Sequence, residues 1–143
     1  MNVTQVSVFM QNQPGHLQKV LKTLADGNIN IISLTIAESE DFGVLRLIVD
    51  NPENALDFLT KNNIRCSSTD VLAIEIGDEP GSLYRAIDSF SKMSLNIEYM
   101  YAFSKRLNNS AVMIFRFDDI EAAKKALEGT GHKLIKNADI TGG

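Results

Sequence analysis

A six-residue phrase that occurs twice limits the fold of this chain more than any other feature. Asn12-Gln13-Pro14-Gly15-His16-Leu17 returns as Asp78-Glu79-Pro80-Gly81-Ser82-Leu83, an offset of 66 positions, and Asn30-Ile31 returns at the same offset as Asn96-Ile97. Each copy of the phrase follows an alternating apolar run (Val6, Val8, Met10; then Leu72, Ile74, Ile76) and opens an amphipathic stretch, so each is a strand-to-helix turn inside a duplicated unit. A unit of that size buries only roughly 60% of the surface its unfolded chain exposes. The copies are therefore expected to pack on each other or on a second chain.

In the first copy, residues 3–10 alternate as a half-buried strand. Leu17, Val20, Leu21, Leu24 and Ala25 form one stripe of a helix that stops at Gly27. The branched run 29–36 and the run 44–49 read as strands joined through the acidic turn Glu38-Ser39-Glu40-Asp41. Asp50 or Asn51 caps a second helix with Pro52 at its first position and Ala55, Leu56 and Leu59 inward, and residues 64–69 form a short strand. The second copy repeats the order: strand 71–76, a helix with Leu83, Ala86, Ile87 and Phe90 inward, strand 95–103, strand 110–117, a helix capped by Asp118 or Asp119, and a strand near 133–135. Each copy is thus βαββαβ, an α+β ferredoxin-like unit with an antiparallel sheet and both helices on one face. The divisions expected are 1–70, 71–136 and a flexible tail over 137–143.

That architecture hosts many functions, so the side chains must decide. A net charge of −4 argues against a nucleic-acid partner, and Val44–Val49 offers no aromatic for base stacking. No apolar run approaches the roughly 20 residues of a membrane span, and the start Met1-Asn2-Val3-Thr4-Gln5 lacks the basic and apolar blocks of a signal peptide. A cytoplasmic protein without membrane contact is expected. The single cysteine, Cys66, leaves no disulfide or paired-thiol site and is expected to pack in a strand. Gln11, Asn12 and Gln13 in the first loop do not suit a metal, and the two histidines, His16 and His132, occupy non-equivalent places, so neither metal, cofactor nor catalytic group is expected. His132 reads as a solvated loop residue.

The turn itself remains. Proline presets the backbone for a helix start, glycine admits a close approach, and the free N–H groups of a first helical turn attract a carboxylate. Asn12 and Asn30 add amides that could hold the carboxylate and ammonium of a zwitterion. Equally, Pro-Gly opens helices that bind nothing, and Asn30 could simply cap a strand end.

The stretches Gln11-Asn12-Gln13-Pro14-Gly15-His16-Leu17 and Gly27-Asn28-Ile29-Asn30-Ile31-Ile32-Ser33-Leu34-Thr35 resemble the N-terminal half of an ACT domain, the amino-acid-sensing module of many biosynthetic enzymes. The wording is especially similar to the regulatory subunit of acetolactate synthase. The second copy keeps Pro80-Gly81-x-Leu83 and Asn96-Ile97 but has Tyr99-Met100-Tyr101 where the first has Ser-Leu-Thr. The resemblance implies a free-standing, non-catalytic tandem pair that binds a free amino acid at interfaces between ACT units. It carries Asn12, Gly15 and Asn30 into the ligand site, with Gln13, Pro14, His16, Leu17 and Ile31 beside them. In the second copy Asp78, Gly81, Ser82, Leu83 and Asn96 are the weaker equivalents, because Asp78 would repel a ligand carboxylate although it could hold an ammonium, so that site is either altered in polarity or purely structural. A ligand-independent subunit docking on a biosynthetic enzyme is the alternative. A homodimer is expected, guided by the acidic tip (Glu38, Glu40, Asp41) and the basic one (Lys105, Arg106), or by an exposed row of Tyr99, Tyr101 and Phe103.

Overall fold

The computed structural model describes residues 2–11, 13–38, 41–107 and 110–141. It holds two compact units: Thr4–Thr69 with the C-terminal stretch that begins at Ala138, and Asp70–Asn137 with the residues up to Val3. The first unit contains β1 (Val3–Gln11), α1 (His16–Asp26), β2 (Ile31–Glu38), β3 (Phe42–Val49), α2 (Pro52–Lys61) and the start of β4 (Cys66–Ile76). The second takes the rest of β4, then α3 (Ser82–Lys92), β5 (Ile97–Ala102), β6 (Ala111–Phe117), α4 (Ile120–Leu127) and β7 (Lys133–Ile135). Strand order is β2-β3-β1-β4 in the first unit and β5-β6-β4-β7 in the second, the same order in both copies, with antiparallel pairing wherever the register is defined.

Burial follows the alternation. Val6 and Val8 of β1 and Leu45, Leu47 and Val49 of β3 face Val20 and Leu24 of α1 and Ala55 and Leu59 of α2 in one core. In the second unit Leu72, Ile74, Phe115 and Phe117 face Ala86, Phe90, Ala123 and Leu127. The α1 stripe turns slightly from its expected line: Thr23 is buried, with its hydroxyl donating to the Lys19 carbonyl at 2.8 Å, while Ala25 is exposed. Helix α2 starts as its sequence demands, with Asn51 Oδ1 accepting from the Asn54 N–H at 3.1 Å and Pro52 at the first helical position. Asp119 Oδ1 caps α4 in the same way at 3.0 Å.

Several expectations change. Residues 64–69 and 71–76 are not separate strands: with only Asp70 between them and no Gly or Pro, β4 runs unbroken from Cys66 to Ile76. Gly27 does not supply the left-handed residue that ends α1. That residue is Asn28 (φ 56), and the Ile29 N–H reaches back to the Leu24 carbonyl at 2.9 Å in a Schellman closure. Asn63 and Ser94 close α2 and α3 identically. Gly27 is required for another reason, since a Cβ there would stand 2.7 Å from the Phe58 ring of α2. At the equivalent position of the second copy Met93 is accommodated, because Ala126 stands where that phenylalanine does, as Leu127 stands where Leu59 does.

Simple alternation over strand 95–103 would put Leu95, Ile97, Tyr99, Tyr101 and Phe103 on one face, but they do not share it. A bulge between Ile97 and Tyr99 reverses the alternation, so Leu95, Ile97 and Met100 pack on the core. Tyr101 and Phe103 are 9% and 7% exposed, so they form no open apolar patch. Residues 137–141 of the expected tail form a short helix, α5 (Asn137–Thr141), with Ile140 buried; Gly142 and Gly143 lie outside the described residues.

Candidate functional site

Both Pro-Gly phrases form the same turn. The His16 N–H donates to the Gln13 carbonyl at 3.3 Å and the Ser82 N–H to the Glu79 carbonyl at 3.0 Å. Gly15 has φ 92 and ψ −19, Gly81 φ 85 and ψ −6, the values of the third residue of a type II turn. Proline therefore occupies the second turn position rather than the first helical one, and glycine is needed because that φ strains any side chain. Among the described residues no side chain caps α1 or α3, and neither helix has an acid in its first turn to offset its positive end. Asn12, the residue most prominent in the sequence reading, lies outside the described residues.

Beside each turn lies a cavity, and the two are equivalent. The first, about 240 Å³, is lined by Gln11, His16, Lys19, Asn63 and Arg65 over an apolar floor that includes Met10 and Val20. The second, about 340 Å³, has Gly77, Ser82 and Arg85 at positions 66 residues on from Gln11, His16 and Lys19, and Gly131 and His132 at 68 residues on from Asn63 and Ile64. Their electrostatics differ. No described lining residue of the first carries a carboxylate, whereas the second contains Glu75, paired with Lys133 at 3.6 Å, where the first has Phe9.

The remaining site residues fall into distinct places. Leu17 packs partly on the core from the first turn of α1, whereas its counterpart Leu83 is exposed. The Ser82 hydroxyl accepts from Arg85 at 3.4 Å. Asp78 forms an ion pair with Arg106, so the acid expected to repel a ligand is already neutralised and the basic hairpin tip loses one of its two cations. His132 is not a free loop residue: its Nε2 lies 2.9 Å from the Ser89 hydroxyl and its ring 4.9 Å from that of Phe90, at the rim of the second cavity.

Asn30 and Ile31 are not beside the turn of their own copy. The end of β1 is level with the start of β3 (Gln11 opposite Phe42), whereas Ile31 pairs with Val49 at the far end of β3. Those rows are seven residues apart along β3, about 23 Å at roughly 3.3 Å per residue. A free amino acid cannot touch both within one copy. Asn30 is held by Asp50, whose Oδ1 accepts its N–H at 3.0 Å and whose own N–H donates to its carbonyl at 3.1 Å. Asn96 and Asp118 repeat the second of these bonds. A bulge between Ile31 and Ser33 recurs between Ile97 and Tyr99, so this strand opening is also duplicated; Ile31 packs against the core.

Sequence reasoning missed two features of the first copy. Strand β2 is an edge strand that exposes Leu34 (47%) and Ile36 (44%). Lys19 and Arg65 line the cavity and have no acidic partner among the described residues. The sequence signal for the first was the Leu-x-Ile spacing in β2, and for the second the absence of a nearby acid at i±4 of Lys19.

Comparison with known proteins agrees with the fold. The model of the ACT domain pair matches residues 1–141. The crystal structure of protein BT0572 from Bacteroides thetaiotaomicron is similar at 35% identity and a TM-score of 0.90, over 99% of this chain and 96% of that one. The regulatory subunit of aspartate kinase from Thermus flavus shares the fold at 17% identity and a TM-score of 0.61, over 89% of each chain. The ligand-free subunit from Thermus thermophilus gives 18% and 0.58, over 87% of this chain and 89% of that one. No curated protein matches the chain.

Proposed function

The chain belongs to the ACT family as a tandem pair of its domains, and from that premise we propose that it is a regulatory, non-catalytic protein that binds a free amino acid between two copies of its first unit. The reading rests on one observation above all: the first copy presents an uncapped helix start behind the Gly15 turn, with no carboxylate among the described residues lining the adjoining cavity. A ligand carboxylate is favoured there by about 0.3–1 kcal/mol from the helix end alone. The ammonium needs an acceptor, and the amide of Asn30 supplies one only from another copy.

Edge strand β2 suggests how. Two β2 strands paired antiparallel about a two-fold axis bring the Ile31 end of one against the Glu38 end of the other, which is level with the turn. The exposed Leu34 and Ile36 lie on that edge strand, whose apolar side chains invite a partner. Each site would then combine Asn12, Gln13, Gly15 and His16 of one chain with Asn30 of its partner. The second copy, with Asp78 paired to Arg106 and Glu75 in its cavity, serves structure rather than ligand capture.

A thermal-shift panel of the twenty amino acids tests the reading. A ligand at 100 times its Kd adds about 2.7 kcal/mol of stability, which is a readily measured rise. Silence of all twenty at millimolar concentration would remove the sensor role. Recovery of a biosynthetic enzyme in pull-downs, with or without amino acid, would favour a docking subunit instead.

A further inference from the structure

The first unit carries a second cavity, which shares Phe9, Met10, Gln11 and Arg65 with the one beside the turn but opens over β3 rather than α1. It measures about 390 Å³, and its walls include Phe9, Gln11, Phe42, Val44 and Arg65. The register sets its location. Phe9 lies opposite Val44 and Gln11 opposite Phe42, one residue out of phase with the core-facing Val8, Met10 and Leu45, so both phenylalanines stand on the sheet face away from α1 and α2. They are 42% and 61% exposed.

Arg65 brings the charge. Its guanidinium lies 5.7 Å from the centroid of the Phe9 ring, and its carbonyl accepts the Phe9 N–H at 2.9 Å, so cation and ring are fixed to one another by the backbone. Among the described residues no carboxylate lines the cavity. The arrangement is absent from the second copy, where Glu75 and Lys133 stand in place of Phe9 and Arg65 and form an ion pair at 3.6 Å instead. It is therefore not a requirement of the fold.

We infer that this face of the first unit binds a small planar aromatic carboxylate. The ring system lies over Phe42 and against Phe9 and Val44, and the carboxylate takes the planar fork of Arg65. Offset aromatic stacking and a charge-assisted bidentate bond both favour such a molecule. The volume falls in the range of small-molecule pockets. A cation of the same shape meets Arg65 and gains nothing from it, and a nucleic acid meets one arginine on a chain of net charge −4. The site uses neither Gly15 nor Asn30.

The test is a titration of the full 15N-labelled chain with 2-naphthoate, followed by amide shifts, with 2-naphthylmethylammonium as the cationic control. Saturable shifts are expected at Phe9, Phe42, Val44 and Arg65 with 2-naphthoate and none with the amine. Arg65→Ala should weaken 2-naphthoate at least about fivefold and Arg65→Lys by less, since the charge remains but the fork is lost. Asn30→Ala should leave the titration unchanged, which separates this site from the amino-acid site. Equal binding of the amine, or an Arg65→Ala variant that binds as the parent does, overturns the inference. It is also overturned if the same amides shift with protein concentration alone and Phe42→Ser abolishes that shift, for then a second copy of the chain covers the face.

Discussion

Replacing Gly15 by alanine isolates the backbone cost of the turn on which the site is built. A Cβ at Gly15 meets nothing within 4 Å, so packing contributes no penalty. The penalty comes from φ, which at 92° puts a side chain in the left-handed region at roughly 1–2 kcal/mol. Alanine also restricts the unfolded chain, a stabilising effect of about 0.4–1 kcal/mol. The expected net loss is about 1 kcal/mol, or a fall in Tm of about 4 °C for a chain of this size. Gly131 is the internal reference: its surroundings are equally open but its φ is not in the left-handed range, so Gly131→Ala should hold or raise Tm. Gly15→Asn should lose less than Gly15→Ala, because asparagine tolerates this conformation. Urea unfolding of the three variants, with the slope checked for constancy, gives the comparison. Equal stability changes for Gly15→Ala and Gly131→Ala would refute the assignment of the cost to φ.

Gly27→Ala, by contrast, is a steric lesion against the Phe58 ring and should cost about 1–3 kcal/mol, with much of that loss removed when Phe58→Ala is added, as a double-mutant cycle in urea would show. Phe90→Ala should cost about 3–5 kcal/mol, since this ring is fully buried and meets Phe115 and Phe117 edge-on at 5.4 and 5.8 Å; calorimetry reads it. Arg106→Ala breaks an exposed ion pair with Asp78 and should change stability by less than about 1 kcal/mol, so its Tm should barely move.

Much of the architecture was legible because the chain states it twice. The 66-residue offset, the alternation of Val6, Val8 and Met10, and the Asn51-Pro52 helix start each correspond to an observed element. Long-range steric facts were not legible. Gly27 looked like a helix stop because glycine often is one, but its role depends on Phe58, 31 positions away. The bulge at Ile97–Tyr99 turned an apparent single face into two, and only its pairing with β6 reveals it. The separation of Asn30 from the Gly15 turn was latent in the sequence: an eleven-residue helix carries the chain back about 16 Å before β2 begins. Reading Asn30 beside the turn of its own copy overlooked that return. Phe9 and Phe42 were hidden for the same reason, since exposure on a strand depends on which face the helices cover.

The account stands most directly on the claim that one site draws residues from two chains. Asn12→Ala should abolish amino-acid binding by removing one half of every site, and Asn30→Ala should do so by removing the other. When the two inactive variants are mixed and allowed to exchange subunits, each mixed dimer regains one intact site, so calorimetry should recover about a quarter of the parental binding capacity at parental affinity. A mixture as silent as its components, prepared under conditions where exchange is verified, would contradict the shared site.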